Sequence, residues 1–309
     1  ARDGIDPAWI TEEGGLRLRP DHFAEQGTKV IGFDATPKHT RMHLVWNQMI
    51  QGRPTPWHID QGNLAHIEHY CPSTNDESFM AQLQDMKAAS GDYKQDDLAE
   101  LMDKQVLVGE IVSNYEKISM QEYGDYKPFV VACVNKKHAR SVEDAFMQNG
   151  HKVAYVDADT SSEDRVEMFR MITNGEIVGI VSVLTMIYGV DLPPLHICIN
   201  ARPTKSLPMF LQLGGRILRT FDGNDAIPAK SHAVMIDHAG AVKEHGYLDD
   251  VFTFSLDPDE PVVNETQKER EQSDTPEVDI TCSNCNHTYK NSHICPKCGH
   301  EQVIDFDQH

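Results

Sequence analysis

The chain has 309 residues, 39% of them hydrophobic, a formal net charge of -20 and a mean hydropathy of -0.47. That length suits two domains, or one large domain with an appendage. No apolar run approaches the roughly 18 residues of a membrane helix and no secretory leader opens the chain, so the expectation is a cytoplasmic protein without a membrane partner. An acidic balance argues against indiscriminate nucleic-acid binding, since phosphates call for Lys and Arg.

Residues 1–27 show no readable period, and Ala in place of Met at the start fits a fragment or a processed product. "TKVIGFDATPKH" (28–39) predicts a strand ending in a turn at Pro37, and 40–75 mixes Gly, Pro and aromatics without period. "ESFMAQLQDMKAAS" and "QDDLAELMDKQVLVGEIVSNYEKI" predict helices. From there strand and helix alternate. "PFVVACVN" (128–135) is a Val-rich apolar run, the mark of a buried parallel strand. The next helix puts Ala139, Val142, Ala145 and Phe146 on one face and stops at Gly150. "KVAYVDAD" (152–159) is a second strand, and "SSEDRVEMFRMITNG" a helix with a Ser cap, an acidic first turn and Gly175 at its end. "IVGIVSVL" (177–184), "HICINARP" (196–203) and "HAVMIDHA" (232–239) complete five strands, with a helix bearing "QLGGRILR" before the last. This alternation predicts an α/β fold, a parallel sheet with helices on both faces, whose ligands sit at the carboxyl ends of the strands. Residues 257–280 are polar, charged and Pro-interrupted, a linker by composition.

Charge is unevenly distributed. Leu192–Phe221 and Tyr126–Val142 contain no acid but carry Arg202, Lys205, Arg216 and Arg219, and Lys127, Lys136, Lys137 and Arg140. Of seven cysteines, Cys71, Cys133 and Cys198 are scattered, and the last two read as buried free thiols. The other four, Cys282, Cys285, Cys295 and Cys298, form two CxxC pairs separated by nine residues. Paired thiolates on tight knuckles close a tetrahedron around Zn²⁺, and so short a segment needs metal to fold. His287, His293 and His300 could substitute as ligands, but four cysteines already saturate the site, and Lys290 and Lys297 make the knuckle mildly basic.

In QLGGRILR, Gln212, Arg216 and Arg219 fall at i, i+4 and i+7, predicting one helix face, with Phe210, Leu213 and Ile217 on another. Gly214 and Gly215 would each cost about 1 kcal/mol in a helix interior, so a close backbone approach is expected there. On the residues alone two readings stand, arginines that serve an anion and an ordinary amphipathic helix with solvated arginines.

QLGGRILR resembles the sixth motif, Q-x-x-G-R-x-x-R, of superfamily 2 helicases of the DEAD/DEAH type found in phage and bacterial DNA repair. "GVDLP" (189–193) is similar to the fifth, "PFVVACVNKKHARSVEDAF" to the fourth and "GFDATP" (32–37) to the third, with Asp34 where Ser or Thr is usual. The likeness covers roughly residues 28–300. It implies two RecA-like lobes with ATP and Mg²⁺ between them. Arg216 and Arg219 would be arginine fingers supported by Gln212. Gly189, Asp191 and Gly215 would be nucleotide-binding positions, with Asp191 at the ribose. Asp34, Ala35 and Thr36 would couple hydrolysis to lobe movement, and Lys136, Lys137 and Lys205 would touch nucleic acid, DNA in preference to RNA.

Neither the P-loop pattern G-x-x-x-x-G-K-[ST] nor D-E-x-[DH] occurs in the chain. The expected organisation is therefore the end of a first lobe (1–65), a helical connection (66–125), a second RecA-like lobe (126–256), the linker and a zinc ribbon (281–303). The P-loop lobe would be supplied in cis or as a separate chain, and this chain alone would not hydrolyse ATP. The competing expectation is a non-catalytic nucleic-acid or protein binding module derived from a helicase lobe.

Overall fold

The computed structural model describes residues 33–37, 42–44, 46–72, 76–86, 88–89, 92–102, 104–183, 191–257, 259–273 and 277–303. The chain divides into two compact units, Ala1–Gly52 with Phe252–Val263, and Arg53–Val251 with Asn264–His309. In chain order the elements are α1 (Thr55–Asp60), β1 (Ile67–Tyr70), α2 (Glu77–Asp85), β2 (Ala88–Ala89), β3 (Asp92–Tyr93), α3 (Gln95–Met102) and α4 (Gln105–Tyr123). Then follow β4 (Phe129–Cys133), α5 (Lys136–Gln148), β5 (Val153–Val156), α6 (Ser162–Thr173), β6 (Gly179–Val183), β7 (Ile197–Ala201), α7 (Leu207–Gly214) and β8 (Ala233–Asp237). The chain continues with α8 (Ala241–His245), β9 (Phe252–Thr253), β10 (Val263–Asn264), α9 (Glu265–Glu271), β11 (Asp279–Thr281) and β12 (Thr288–Lys290).

The larger unit is built on a six-stranded sheet in the order β1-β8-β7-β4-β6-β5, parallel throughout. Side chains alternate along each strand. Phe129, Val131 and Cys133 of β4 enter one core with α2 to α5, while Val130 and Ala132 enter the other with α6 and α7. This is the expected parallel sheet covered by helices on both faces. Each of the five strand runs predicted from residue 128 onward contains an observed strand, and residues 28–32 and 38–39 of the run predicted over 28–39 lie outside the described residues. The Ser cap is as read, Ser161 Oγ accepting from Asp164 N at 3.0 Å, and α5 has a cap of its own in Asn135, whose Oδ1 accepts from His138 N at 2.8 Å. Gly150 and Gly175 follow their helices at φ of 84° and 71°, the left-handed region that a Cβ disfavours. Cys71, Cys133 and Cys198 are buried, and burial pushes their thiols up.

Two stretches differ from the sequence expectation. Residues 66–125, expected as a helical connection, supply β1, the sixth strand and a sheet edge paired with β8. IEHY is too short and too mixed in polarity to show a strand period. Residues 257–280, expected as a linker, contain α9, capped by Asn264 Oδ1 accepting from Gln267 N at 3.0 Å. Arg270 organises this polar stretch by bonding Asp250 at 3.1 Å and facing Glu277 and Asp279 at 3.5 and 3.7 Å. Composition reports the lack of apolar residues there, not this ion network.

In the smaller unit Asp34 Oδ1 accepts from Thr36 N at 2.9 Å, closing a turn. The Gln51 side chain donates to Phe252 O and accepts from Phe254 N at 3.2 Å. Among the described residues no helix is long and apolar enough to cross a membrane.

Candidate anion site and metal centre

α7 starts at Ser206, whose Oγ accepts from Met209 N at 3.4 Å, and runs into the core through Phe210 and Leu213. It does not continue to Arg219, as the i, i+4, i+7 reading expects. The last helical residue is Gly214, and residues 215–218 turn. The expected close approach is there: a Cβ on Gly214 would lie 2.2 Å from Leu248 Cδ1. Two glycines weaken the helix and tertiary bonds then take over the backbone. Leu218 O accepts from Ala65 N at 2.7 Å, and Leu64 bridges Arg219 in antiparallel fashion. Ile217 and Leu218 are both buried in the turn.

Arg216 and Arg219 thus project from a turn rather than from a helix face. The Arg219 guanidinium pairs with the Asp191 carboxylate, joining two motifs 28 residues apart. Burial lowers the Arg216 pKa, the Arg219 charge lowers it further, and Asp191 opposes both. A site where cations repel one another in partial burial gains from an added anion. Gln212 and Gly215 are half-buried on the same segment. Gly189 lies outside the described residues. Asp34, Ala35 and Thr36 belong to the smaller unit.

Sequence reasoning overlooks Lys230. Its Nζ donates to Ile217 O at 3.0 Å and to Arg219 O at 2.7 Å, tying the turn from beneath. Nothing local in "IPAKSH" marks it; only the fold brings it to the turn.

The basic islands are acid-free in sequence but not in space. Lys136 Nζ pairs with Asp157 at 3.0 Å and with Asp159. Lys127 meets Asp125 at 3.2 Å, Arg140 meets Glu143 at 2.7 Å, and Lys205 meets Glu244 at 2.8 Å while lying over the Tyr93 ring. Lys137 stands beside Lys136 in the first turn of α5. Lys136 and Lys205 would have to exchange a carboxylate for a phosphate to serve nucleic acid.

The second site is the cysteine cluster. The Sγ atoms of Cys282, Cys285, Cys295 and Cys298 all lie within 4.8 Å of one another. The knuckles match: Asn286 N bonds Cys282 O and Gly299 N bonds Cys295 O, each at 2.9 Å, and Asn286 and Gly299 take φ of 64° and 68°. Burial works to raise the Cys298 thiol, but bonds from His300 N and Asn284 hold it down to about 6, favouring thiolate. Four sulfurs so disposed fit one soft divalent cation. The three histidines turn elsewhere: His287 Nε2 lies 2.9 Å from Glu68, His300 Nε2 3.1 Å from Ser283 Oγ and His293 Nδ1 3.4 Å from Gln302 O.

The cluster is docked on β1 and α4. Cys71 N donates to Asn286 O at 2.8 Å and Lys117 Nζ to Asn284 O. Lys297 Nζ sits 3.1 Å from Glu68 and 2.9 Å from Glu122. Burial works to raise both carboxyls. Bonds from His287 and Lys297 nevertheless hold Glu68 at about 2, and bonds from His232, Tyr70 and Lys297 hold Glu122 at about 2.

Comparison with known proteins adds to this geometry. Residues 114–221 match the family described as the helicase conserved C-terminal domain. The chain is 27% identical over 244 residues to a Saccharomyces cerevisiae protein named as the ATP-dependent helicase IRC3, covering 77% of this chain and 34% of that protein. It is 25% identical over 222 residues to the 51.5 kDa protein of a Lactococcus phage, covering 71% of this chain and 45% of that protein. The chain thus spans less than half the length of these relatives. A solved fragment assigned to the HsdR subunit of a type I restriction enzyme from Vibrio vulnificus is similar at a TM-score of 0.46 and 17% identity, over 70% of this chain and 42% of that one.

Proposed function

We propose that this chain, whose residues 114–221 match the family described as the helicase conserved C-terminal domain, is the C-terminal motor part of an ATP-dependent DNA helicase or translocase, completed by a P-loop lobe. The observation that carries the reading is the convergence of Asp191 with Arg219, two motif residues 28 positions apart, beside Arg216. In this reading the bound nucleotide with Mg²⁺ supplies the phosphoanhydride whose cleavage drives the motor. Arg216 and Arg219 direct fixed, planar donor groups at the charge that grows on the transferring phosphoryl group. Arg219 leaves Asp191 to do so, which costs little for an exposed pair. Asp191 is then free to accept from a ribose hydroxyl. Gln212 and Gly215 shape the approach to the turn, and Asp34, Ala35 and Thr36 relay hydrolysis to lobe movement. Lys136, Lys137 and Lys205 meet the DNA backbone, and the four cysteines hold Zn²⁺.

The test is ATP hydrolysis with and without a P-loop lobe. The chain alone is expected to hydrolyse no ATP, and the two-lobed protein to do so with stimulation by DNA exceeding that by RNA. Hydrolysis by the chain alone, abolished by Arg216→Ala, would contradict the division of labour. A two-lobed protein indifferent to DNA would contradict the motor reading.

A further inference from the structure

The arginine turn has little rigidity of its own. Two glycines precede it, and its last bond of helical kind is from Ile217 N to Gly214 O at 3.1 Å. Beyond that point its carbonyls are all taken by tertiary partners. Ile217 O and Arg219 O each accept from Lys230 Nζ, at 3.0 and 2.7 Å, and Leu218 O accepts from Ala65 N at 2.7 Å. Lys230 is itself fastened at its backbone, where its N donates to Phe221 O at 2.8 Å.

A lysine in such a place is unusual. Its long stem normally lets the ammonium reach water. Here the residue is half-buried and, among the described residues, no carboxylate pairs with it. Burial pushes its pKa down to about 7, and the Arg219 charge pushes the same way. The acceptors chosen are carbonyl dipoles. A carboxylate could have held the same ammonium, but it would also have competed for Arg216 and Arg219. Carbonyls fix the cation and leave the positive potential of the turn for an outside anion.

We propose that Lys230 is the positioning residue of the arginine turn: by bonding the carbonyls on both sides of Leu218 it fixes the backbone from which Arg216 and Arg219 project. The role rests on the reading of those arginines as phosphate-facing groups. A displacement of about 1 Å in such groups is enough to cost on the order of 100-fold in rate.

The experiment uses the protein carrying both lobes, with Lys230→Met, Lys230→Gln, Arg219→Ala and the Lys230→Met/Arg219→Ala double variant. Lys230→Met should lower the nucleic-acid-stimulated kcat by about 10- to 100-fold with the KM for ATP nearly unchanged. Amide hydrogen exchange should speed up across residues 215–221 and stay as it was in β4 and β7. Lys230→Gln keeps a neutral donor, so it should fall between wild type and Met, and it carries the comparison if the Met variant does not fold. The double variant should be slower than Arg219→Ala by a smaller factor than Lys230→Met is slower than wild type, because one of the two groups being positioned is already gone while Arg216 remains. Unchanged kcat and unchanged exchange in both Lys230 variants would overturn the proposal, as would losses that simply multiply in the double variant. If Arg219→Ala itself leaves kcat intact, the phosphate reading fails, and exchange at 215–221 alone then decides whether Lys230 holds the turn.

Discussion

Lys297 and Arg219 both pair with carboxylates in the larger unit, and they do so in opposite ways. Lys297 lies between Glu68 and Glu122, with Glu122 only 4% exposed and further bonded by Tyr70 and His232. Arg219 has Asp191, which is 74% exposed. A buried acid with several donors fixes structure, since removing one donor strands a charge. An exposed single pair is worth about 0–1 kcal/mol and can be surrendered. The difference separates a dock that holds the cysteine cluster on the sheet from a turn able to change partners when an anion arrives.

The largest effect expected from breaking this contrast is on the dock side. The protein should carry one Zn²⁺ per chain, and chelation or Cys295→Ser with Cys298→Ser should release residues 279–303 from β1 and α4. Metal supplies roughly 10 kcal/mol or more to comparable small folds. Elemental analysis with hydrogen exchange of 279–303 checks this; zinc-free protein with unchanged exchange there would refute it.

Acid should loosen the same dock. Glu68 and Glu122 sit at about 2, below the ordinary 4.5, so their contribution is complete above about pH 4.5 and is lost as pH falls toward 2. Urea midpoints at pH 6 and pH 3 for wild type and Lys297→Met should show a shallower pH dependence in the variant. Equal slopes would mean that Lys297 does not hold the dock.

On the turn side, Gly214→Ala should destabilise by about 1–3 kcal/mol, because its Cβ would overlap Leu248 and overpacking outweighs the gain in helix propensity. Gly214→Ala with Leu248→Ala should recover part of the loss in thermal unfolding. The smallest effect is Lys136→Ala, expected to weaken nucleic-acid binding evenly across sequences and reduce the salt slope by about 1. An unaltered slope would mean that Lys136 serves only Asp157 and Asp159.

What the sequence disclosed follows from how local each signal is. Strands β4 to β8 announce themselves by continuous apolar runs, because a parallel strand buried on both faces has no polar side. The cysteine knuckles are equally plain, since CxxC spacing is itself the geometry. Partnerships across the chain are not plain. β1 is four residues long and gains its identity only from β8. The acid-free islands are neutralised by Asp157, Asp159 and Glu244, which lie elsewhere in sequence. QLGGRILR fits a helical period, yet Leu64, Ala65 and Lys230 turn its second half into something else. Lys230 has no signal short of the fold.

The role proposed for the turn after α7 is to serve a nucleotide phosphate and not the nucleic acid. Arg219→Ala in the two-lobed protein, measured for stimulated kcat and for nucleic-acid affinity in the same preparation, tests it most directly. The kcat should fall on the order of 10³-fold at nearly unchanged affinity, with poor recovery by Arg219→Lys because an ammonium lacks the planar fork. Weakened nucleic-acid binding with kcat intact at saturation would contradict it.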